Sequence, residues 1–164
     1  MKPASFEYVR IDESREALEL LAQMGDDARV LAGGQSLVAM LNMRLAQPAA
    51  LLDITRARDL DYVHADASHL AVGAAATQAE VEHRPTLARD VPLLALVFPW
   101  ISHVQVRSRG TVCGSLAHAD PSAELPLVLV ALGGEVVLER RGARRRVAAE
   151  DFFTGMLITA RERE

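Results

Sequence analysis

The sequence predicts an α+β fold in two lobes, and three observations carry that expectation. The first fifty-odd residues read helix, strand, Gly-Gly, helix, strand, an order that packs naturally as a small α/β lobe around a short parallel sheet. From about Arg58 onward, hairpin patterns alternate with short apolar helices. Two small-residue loops lie far apart in the chain, Leu31-Ala32-Gly33-Gly34-Gln35-Ser36 and Thr111-Val112-Cys113-Gly114-Ser115. Each stands between an apolar stretch and a plausible helix, the arrangement that grips a phosphate-bearing ligand.

Taken in order, Phe6 to Arg10 alternates apolar and polar residues and reads as a strand or extended arm. Ser14 reads as a helix N-cap, and Ala17, Leu18, Leu20, Leu21 and Met24 recur at helical spacing until Gly25 stops the pattern. Ala28 to Ala32 is a short buried strand, broken by Gly33-Gly34. A helix from about Ser36 to Leu45 follows, and Leu51 to Ile54 is a further strand.

In the second lobe, residues 60–65 and 69–74 form a hairpin about an Asp66-Ala67-Ser68 turn. Thr77 with Glu80 spells a capping box, and Pro92 sits at the first turn of an apolar helix running towards Ile101. Residues 102–121 are polar and Gly-containing, and are expected to form a long functional loop. A helix opening at Ser122 or Ala123 runs through Leu132 and ends at Gly133-Gly134. Glu135 to Arg140 and Arg144 to Ala148 make a second hairpin, with the basic cluster Arg140, Arg141, Arg144, Arg145 and Arg146 around its tip. Asp151 to Gly155 is a turn or helical segment, and the chain ends in Arg161-Glu162-Arg163-Glu164.

The totals narrow the function. At 164 residues with 50% hydrophobic content, the chain can bury a core and is not disordered. A net charge of −4 argues against binding nucleic acid through overall charge. Cys113 is the single cysteine, so no internal disulfide, iron–sulfur cluster or cysteine-held zinc is expected, and the reducing cytoplasm is the expected compartment. The residues from Met1 to Tyr8 contain no apolar signal core, and the run from Pro92 to Ile101 is too short for a membrane span. His64, His69, His83 and His103 lack metal-ligand spacing.

The two loops carry the chemistry. Consecutive glycines at Gly33-Gly34 let backbone N–H groups converge on one point, while Gln35 and Ser36 add side-chain donors. The same pattern also suits a bare turn between strand and helix. It is neither a P-loop nor a G-x-G-x-x-G fingerprint. The second loop, bracketed by Gly110 and Gly114, adds the Thr111 and Ser115 hydroxyls, with His118, Asp120 and Glu124 downstream. Asp120 reads either as a cap before Pro121 or as a ligand carboxylate. Glu124 reads either as a first-turn acid facing the helix dipole or as an acceptor for sugar or ribityl hydroxyls. Neither His118 nor Cys113 has a partner that would make it a catalytic residue, and Cys113 reads as a packed small residue.

With both loops in hand, the chain resembles the FAD-binding medium subunit of the molybdenum hydroxylases, the group that includes carbon monoxide dehydrogenase and xanthine dehydrogenase. The carrying residues are Ala32 to Leu37 and the long run from Arg107 to Pro126. Support comes from Phe6-Glu7-Tyr8, Met43-Arg44-Leu45 with Pro48, Leu52-Asp53-Ile54, Gly73-Ala74 with Thr77, and Asp151 to Gly155. The resemblance covers essentially the whole chain.

That resemblance implies a two-lobed, PCMH-type FAD-binding fold. A small α/β lobe over residues 1–57 joins a larger lobe over residues 58–164 with a mainly antiparallel sheet, and FAD lies between them. The family's pyrophosphate loops fall on Leu31-Ala32-Gly33-Gly34-Gln35-Ser36 and on Thr111-Val112-Cys113-Gly114-Ser115, with further contacts at Glu124, Asp120 and Ile101. It implies no catalytic or metal-ligating residue here. Partners would be a large molybdenum-cofactor subunit and a small subunit with two 2Fe–2S iron–sulfur clusters. Electrons would pass from the clusters through FAD to an external acceptor. A self-contained flavoprotein oxidoreductase and a shortened, non-enzymatic binding or assembly module are the competing readings.

Two departures bear on this. The family often has Gly-Gly where this chain has Cys113-Gly114, and a cysteine needing positive φ there would cost about 1 kcal/mol. Family members also continue past the point at which this chain stops. The resemblance therefore implies a second lobe without its usual C-terminal part and no separate C-terminal domain.

Overall fold

The computed structural model describes residues 2–161. The charged ending Glu162-Arg163-Glu164 lies outside the described residues. Near the N-terminus, β1 (Glu7–Arg10), β2 (Ala28–Leu31) and β3 (Ala50–Asp53) form a parallel sheet in the order β1-β3-β2. All four residues of β3 are buried, as befits the central strand of a parallel sheet covered on both faces. Val9 and Val30 face Leu52 from its two sides.

Helix α1 (Ser14–Met24) connects β1 to β2. Its periodic residues Ala17, Leu20, Leu21 and Met24 pack with Ile11, Ala28, Leu52, Ile54 and Ala57. Leu60 and Ala74 join the same cluster from farther along the chain. Ser14 is the first helical residue rather than the cap. Its N–H donates to both carboxylate oxygens of Asp59 at 3.1 Å, so a distant acid satisfies the helix end. Gly25 ends the helix as the sequence predicts. Helix α2 (Leu37–Asn42) is shorter than the expected span from Ser36 to Leu45.

The second apolar cluster contains Val81, Leu87, Leu94, Phe98, Ile101, Val112, Leu116, Leu125, Val128 and Phe152. The hairpin β4 (Val63–Ala65) and β5 (Leu70–Val72) flanks it, followed by α3 (Gln78–Glu82), α4 (Leu87–Asp90) and α5 (Pro92–Val97). The Thr77–Glu80 capping box forms, with Glu80 N–H donating to Thr77 Oγ1 at 3.2 Å. Pro92 sits in the first turn of α5.

The expected long loop over residues 102–121 is not a loop. It contains α6 (Val104–Arg107) and α7 (Val112–His118), followed by α8 (Glu124–Ala131), which opens after Ala123. The polar composition misleads because α7 is fixed by capping and burial rather than by an apolar stripe. Thr111 caps α7, while Val112 and Leu116 enter the core.

The hairpin β6 (Glu135–Arg140) and β7 (Ala143–Ala148) places Gly142 at its tip, as expected. Its strands are laced by the Glu139–Arg144 ion pair at 3.2 Å and by the pair Glu135–Arg146. Helix α9 (Ala149–Phe152) leads into β8 (Phe153–Gly155) and β9 (Ile158–Thr159). Among the described residues the antiparallel strands make three separate two-stranded ribbons rather than one sheet.

Candidate functional site

The first loop leaves the carboxyl end of β2, beside the carboxyl end of β3, where open parallel sheets bind ligands. Leu31 anchors it, its carbonyl accepting the Ile54 N–H at 3.0 Å. Gly34 adopts φ +72°, a conformation that disfavours any side chain, and its carbonyl accepts the Val38 N–H at 3.0 Å. Gln35 Nε2 donates to the Gly33 carbonyl at 3.1 Å. Ser36 precedes α2 without a side-chain cap bond.

Leu31, Ala32, Gly33, Gly34 and Gln35 line an open cleft of about 470 Å³. Asn42 of α2, Asp53 at the end of β3, Thr55 just beyond it, and Arg109 complete the polar part of its wall. Asp53 is 9% exposed. Burial acts to raise its pKa but is outweighed by hydrogen bonds from the Tyr8 hydroxyl and from Thr55, with help from Arg10, so the carboxyl titrates below its ordinary range. The same contact to Asp53 raises the Tyr8 pKa.

The second loop is the start of α7. Thr111 Oγ1 accepts the Gly114 N–H at 3.0 Å, and a Cβ at Gly114 would stand 2.6 Å from that oxygen. Cys113 is helical and is not among the residues with positive φ, so the expected strain is absent. Its sulfur lies 3.5 Å from the Val72 carbonyl and 3.6 Å from that of Gly73. Burial pushes its pKa up to about 11, which leaves a protonated, unreactive thiol at neutral pH. Just upstream, the buried Arg107 guanidinium grips both Glu82 carboxylate oxygens, at 2.7 and 3.0 Å, and donates to the Ile101 carbonyl at 2.8 Å.

These distant segments meet. A Cβ built on Gly33 would lie 2.2 Å from the Arg109 carbonyl oxygen and 2.5 Å from the Gly110 Cα. Only glycine allows that approach. The Gln78 N–H donates to the Gly110 carbonyl at 2.7 Å, and Thr77 and Thr111 form an isolated antiparallel bridge. Three parts of the chain therefore cross at one point: the first loop, the turn before α7 and the start of α3.

Not all expected site residues come together. Arg109 is the only residue of the stretch from Arg107 to Glu124 that lines the cleft of the first loop. Thr111 caps α7 at the crossing, and Val112, Cys113, Gly114 and Ser115 begin that helix beyond it. Ile101 is 6% exposed and packs in the second core. Asp120 accepts from the Ser122 hydroxyl at 2.7 Å and from the Ser122 N–H at 2.8 Å; these bonds hold its pKa down and serve a local turn. Glu124 opens α8, and its side chain makes no hydrogen bond to another described residue. Sequence reading passed over Asp53, Arg109 and Gln78 as site residues. Asp53 carried a usable signal, since it stands towards the carboxyl end of a strand that the sequence predicts in the parallel lobe.

The residues fit a phosphate-bearing, hydroxyl-rich ligand. They offer glycine backbone that a Cβ would block, a guanidinium at the rim and an ionised carboxylate within the cleft. Among the described residues no group of three or more His, Cys, Asp or Glu could hold a metal ion. No described helix is long and apolar enough to cross a membrane.

The family model described as the FAD binding domain in molybdopterin dehydrogenase matches residues 4–164. The chain belongs to this family. Within it, the alpha subunit of the 6-hydroxypseudooxynicotine dehydrogenase complex of Paenarthrobacter nicotinovorans is 41% identical, over 98% of this chain and 54% of that protein. A solved carbon monoxide dehydrogenase from Hydrogenophaga pseudoflava, lacking the Mo-pyranopterin moiety of its cofactor, superposes with a TM-score of 0.95 at 39% identity, over 99% of this chain and 57% of that one. Quinoline 2-oxidoreductase from Pseudomonas putida 86 gives a TM-score of 0.94 at 38% identity, over 99% and 56%. The chain thus spans little more than half the length of these relatives.

Proposed function

We propose that this chain binds FAD and serves as the flavin-bearing electron-transfer part of a molybdenum-containing dehydrogenase. The observation that carries the reading is the packing of Gly33 on the Arg109 carbonyl and the Gly110 Cα, which sets two small-residue loops side by side in a chain of the FAD-binding family. In this reading the FAD pyrophosphate rests against the backbone of residues 32–36 and of residues 111–115. Arg109 offers positive charge at the rim, and Glu124, Asp120 and Ile101 lie along the rest of the cofactor.

Bound there, the flavin supplies redox chemistry that no side chain of this protein offers. The chain's own contribution is geometric and electrostatic. Gly33 and Gly34 keep the backbone open to close approach. Tyr8 and Thr55 hold Asp53 ionised, as an acceptor for sugar hydroxyls. Electrons would reach the flavin from 2Fe–2S clusters on a small partner subunit, fed by a molybdenum cofactor on a large one, and leave to an external acceptor. The division into lobes at residues 57 and 58 belongs to the same reading.

The test is a visible absorbance titration of the purified chain with FAD. Flavin bands perturbed on a saturable curve are expected, and Gly34→Val and Ser115→Phe should each remove them. A wild-type chain that stays folded yet leaves the spectrum of free FAD unchanged would sink the proposal.

A further inference from the structure

Gln78 is 5% exposed and stands at the crossing of the three segments. Its backbone N–H holds the Gly110 carbonyl, and its side-chain Nε2 points at the Thr111 carbonyl, 3.5 Å away. The amide orientation follows from chemistry: turning it over would face two carbonyl oxygens to each other. A Cβ on Gly110 would stand 3.0 Å from the Val106 carbonyl oxygen, 3.3 Å from Gln78 Nε2 and 3.5 Å from Gln35 Cγ, so side chains from α3 and from the first loop both reach Gly110. Gln78 Oε1 has no hydrogen-bond partner, and among the described residues it is the only buried side-chain nitrogen or oxygen in that state.

A buried amide oxygen without a donor weakens the resting fold, so a residue whose role is only structural is better served there by an apolar side chain of the same shape. Buried polar groups left unsatisfied at a crossing of ligand-binding segments are instead characteristic of function set against stability. The capping box rigidly aims the start of α3, and hence this side chain, at the second loop.

We infer that Gln78 is a positioning residue that couples the two glycine loops, its Oε1 being the acceptor for a hydrogen bond that forms when a phosphate-bearing cofactor binds at their crossing. The inference rests on the FAD reading given above. It adds to that reading a residue outside both loops, acting through Gly110 and Thr111 rather than by touching the cofactor.

The experiment compares the full wild-type chain with Gln78→Met, which keeps the shape and removes both polar atoms. Expected are an apo melting temperature equal to or above that of wild type and an FAD Kd weakened at least tenfold. A Kd within twofold of wild type overturns the inference while leaving the FAD reading intact. Parallel losses of apo melting temperature and of FAD affinity assign Gln78 a purely structural role and also overturn it. A second measurement needs no variant: the side-chain carbonyl carbon resonance of Gln78 in the wild-type chain should move on adding FAD as Oε1 gains a donor. A resonance that stays put when FAD binds overturns the inference. A folded wild-type chain that binds no FAD at all overturns the underlying reading, and the inference with it.

Discussion

The α-carbon of Gly33 rests against the carbonyl of Arg109, so closely that an added Cβ would come to 2.2 Å from the oxygen. No flexible side-chain tip is available to move aside, because the obstacle is backbone on both sides. Gly33→Ala is therefore expected to push the first loop off the turn before α7, destabilising the chain by roughly 1–3 kcal/mol as overpacking does. Chemical denaturation reads the loss, and FAD titration should show weaker binding as well. An alanine variant matching wild type in both would mean the contact is not rigid.

Buried Arg107 and partly buried Glu82 form a two-pronged ion pair, and Arg107 also ties down the Ile101 carbonyl. Arg107→Met leaves Glu82 charged without its partner, and the expected loss is roughly 3–5 kcal/mol. The double variant Arg107→Met, Glu82→Gln removes the stranded charge and should recover part of that loss. Equal stability of the single and double variants would refute the coupling.

Thr77 caps α3 and shares a backbone bridge with Thr111. Thr77→Ala should lower stability by about 1 kcal/mol, the usual value of a lost N-cap. Because α3 aims Gln78 at the second loop, FAD affinity should fall too, and Thr77→Ser should restore both quantities.

Asp53 titrates below its ordinary value of 3.8 in the folded chain. A depressed carboxylate contributes stability that is present above that unfolded-state value and is lost as pH falls through the folded one. Wild type should therefore lose stability in the acid limb, below about pH 4, more steeply than Asp53→Asn. Denaturation midpoints measured from neutral to acid pH give the comparison, and superimposable acid limbs would remove Asp53 from the account.

Cys113, with a pKa pushed up to about 11 by burial, should resist thiol reagents in the native chain at pH 8 and react fully once the chain is unfolded in denaturant. Mass spectrometry of the alkylated protein reports both states. Rapid native labelling would mean that α7 opens readily.

Several elements were legible because their signals are local. The Thr77–Glu80 box, Pro92 at a helix start and Gly25 at a helix end act within one turn, and each stands where the sequence places it. The helices α6 and α7 were not legible, for a physical reason. Cys113-Gly114-Ser115 has poor helix propensity, with Gly alone costing about 1 kcal/mol relative to alanine. What makes the segment helical is the Thr111 cap together with burial of Val112 and Leu116 against residues remote in sequence. The cleft divides the same way. Gly33-Gly34 announces itself, whereas the role of Arg109 and Gln78 follows from a crossing that only the folded chain creates.

The ion pairs across β6 and β7 have one more consequence. Free strand edges invite further strands to add, from the same or another molecule, and charged side chains along a ribbon discourage it. A strand approaching β6 would have to strip water from Glu135 and Glu139, and one approaching β7 from Arg144 and Arg146. This ribbon therefore keeps neighbouring molecules from stacking onto it, and concentrated solutions of the chain should resist fibrous aggregation along this edge.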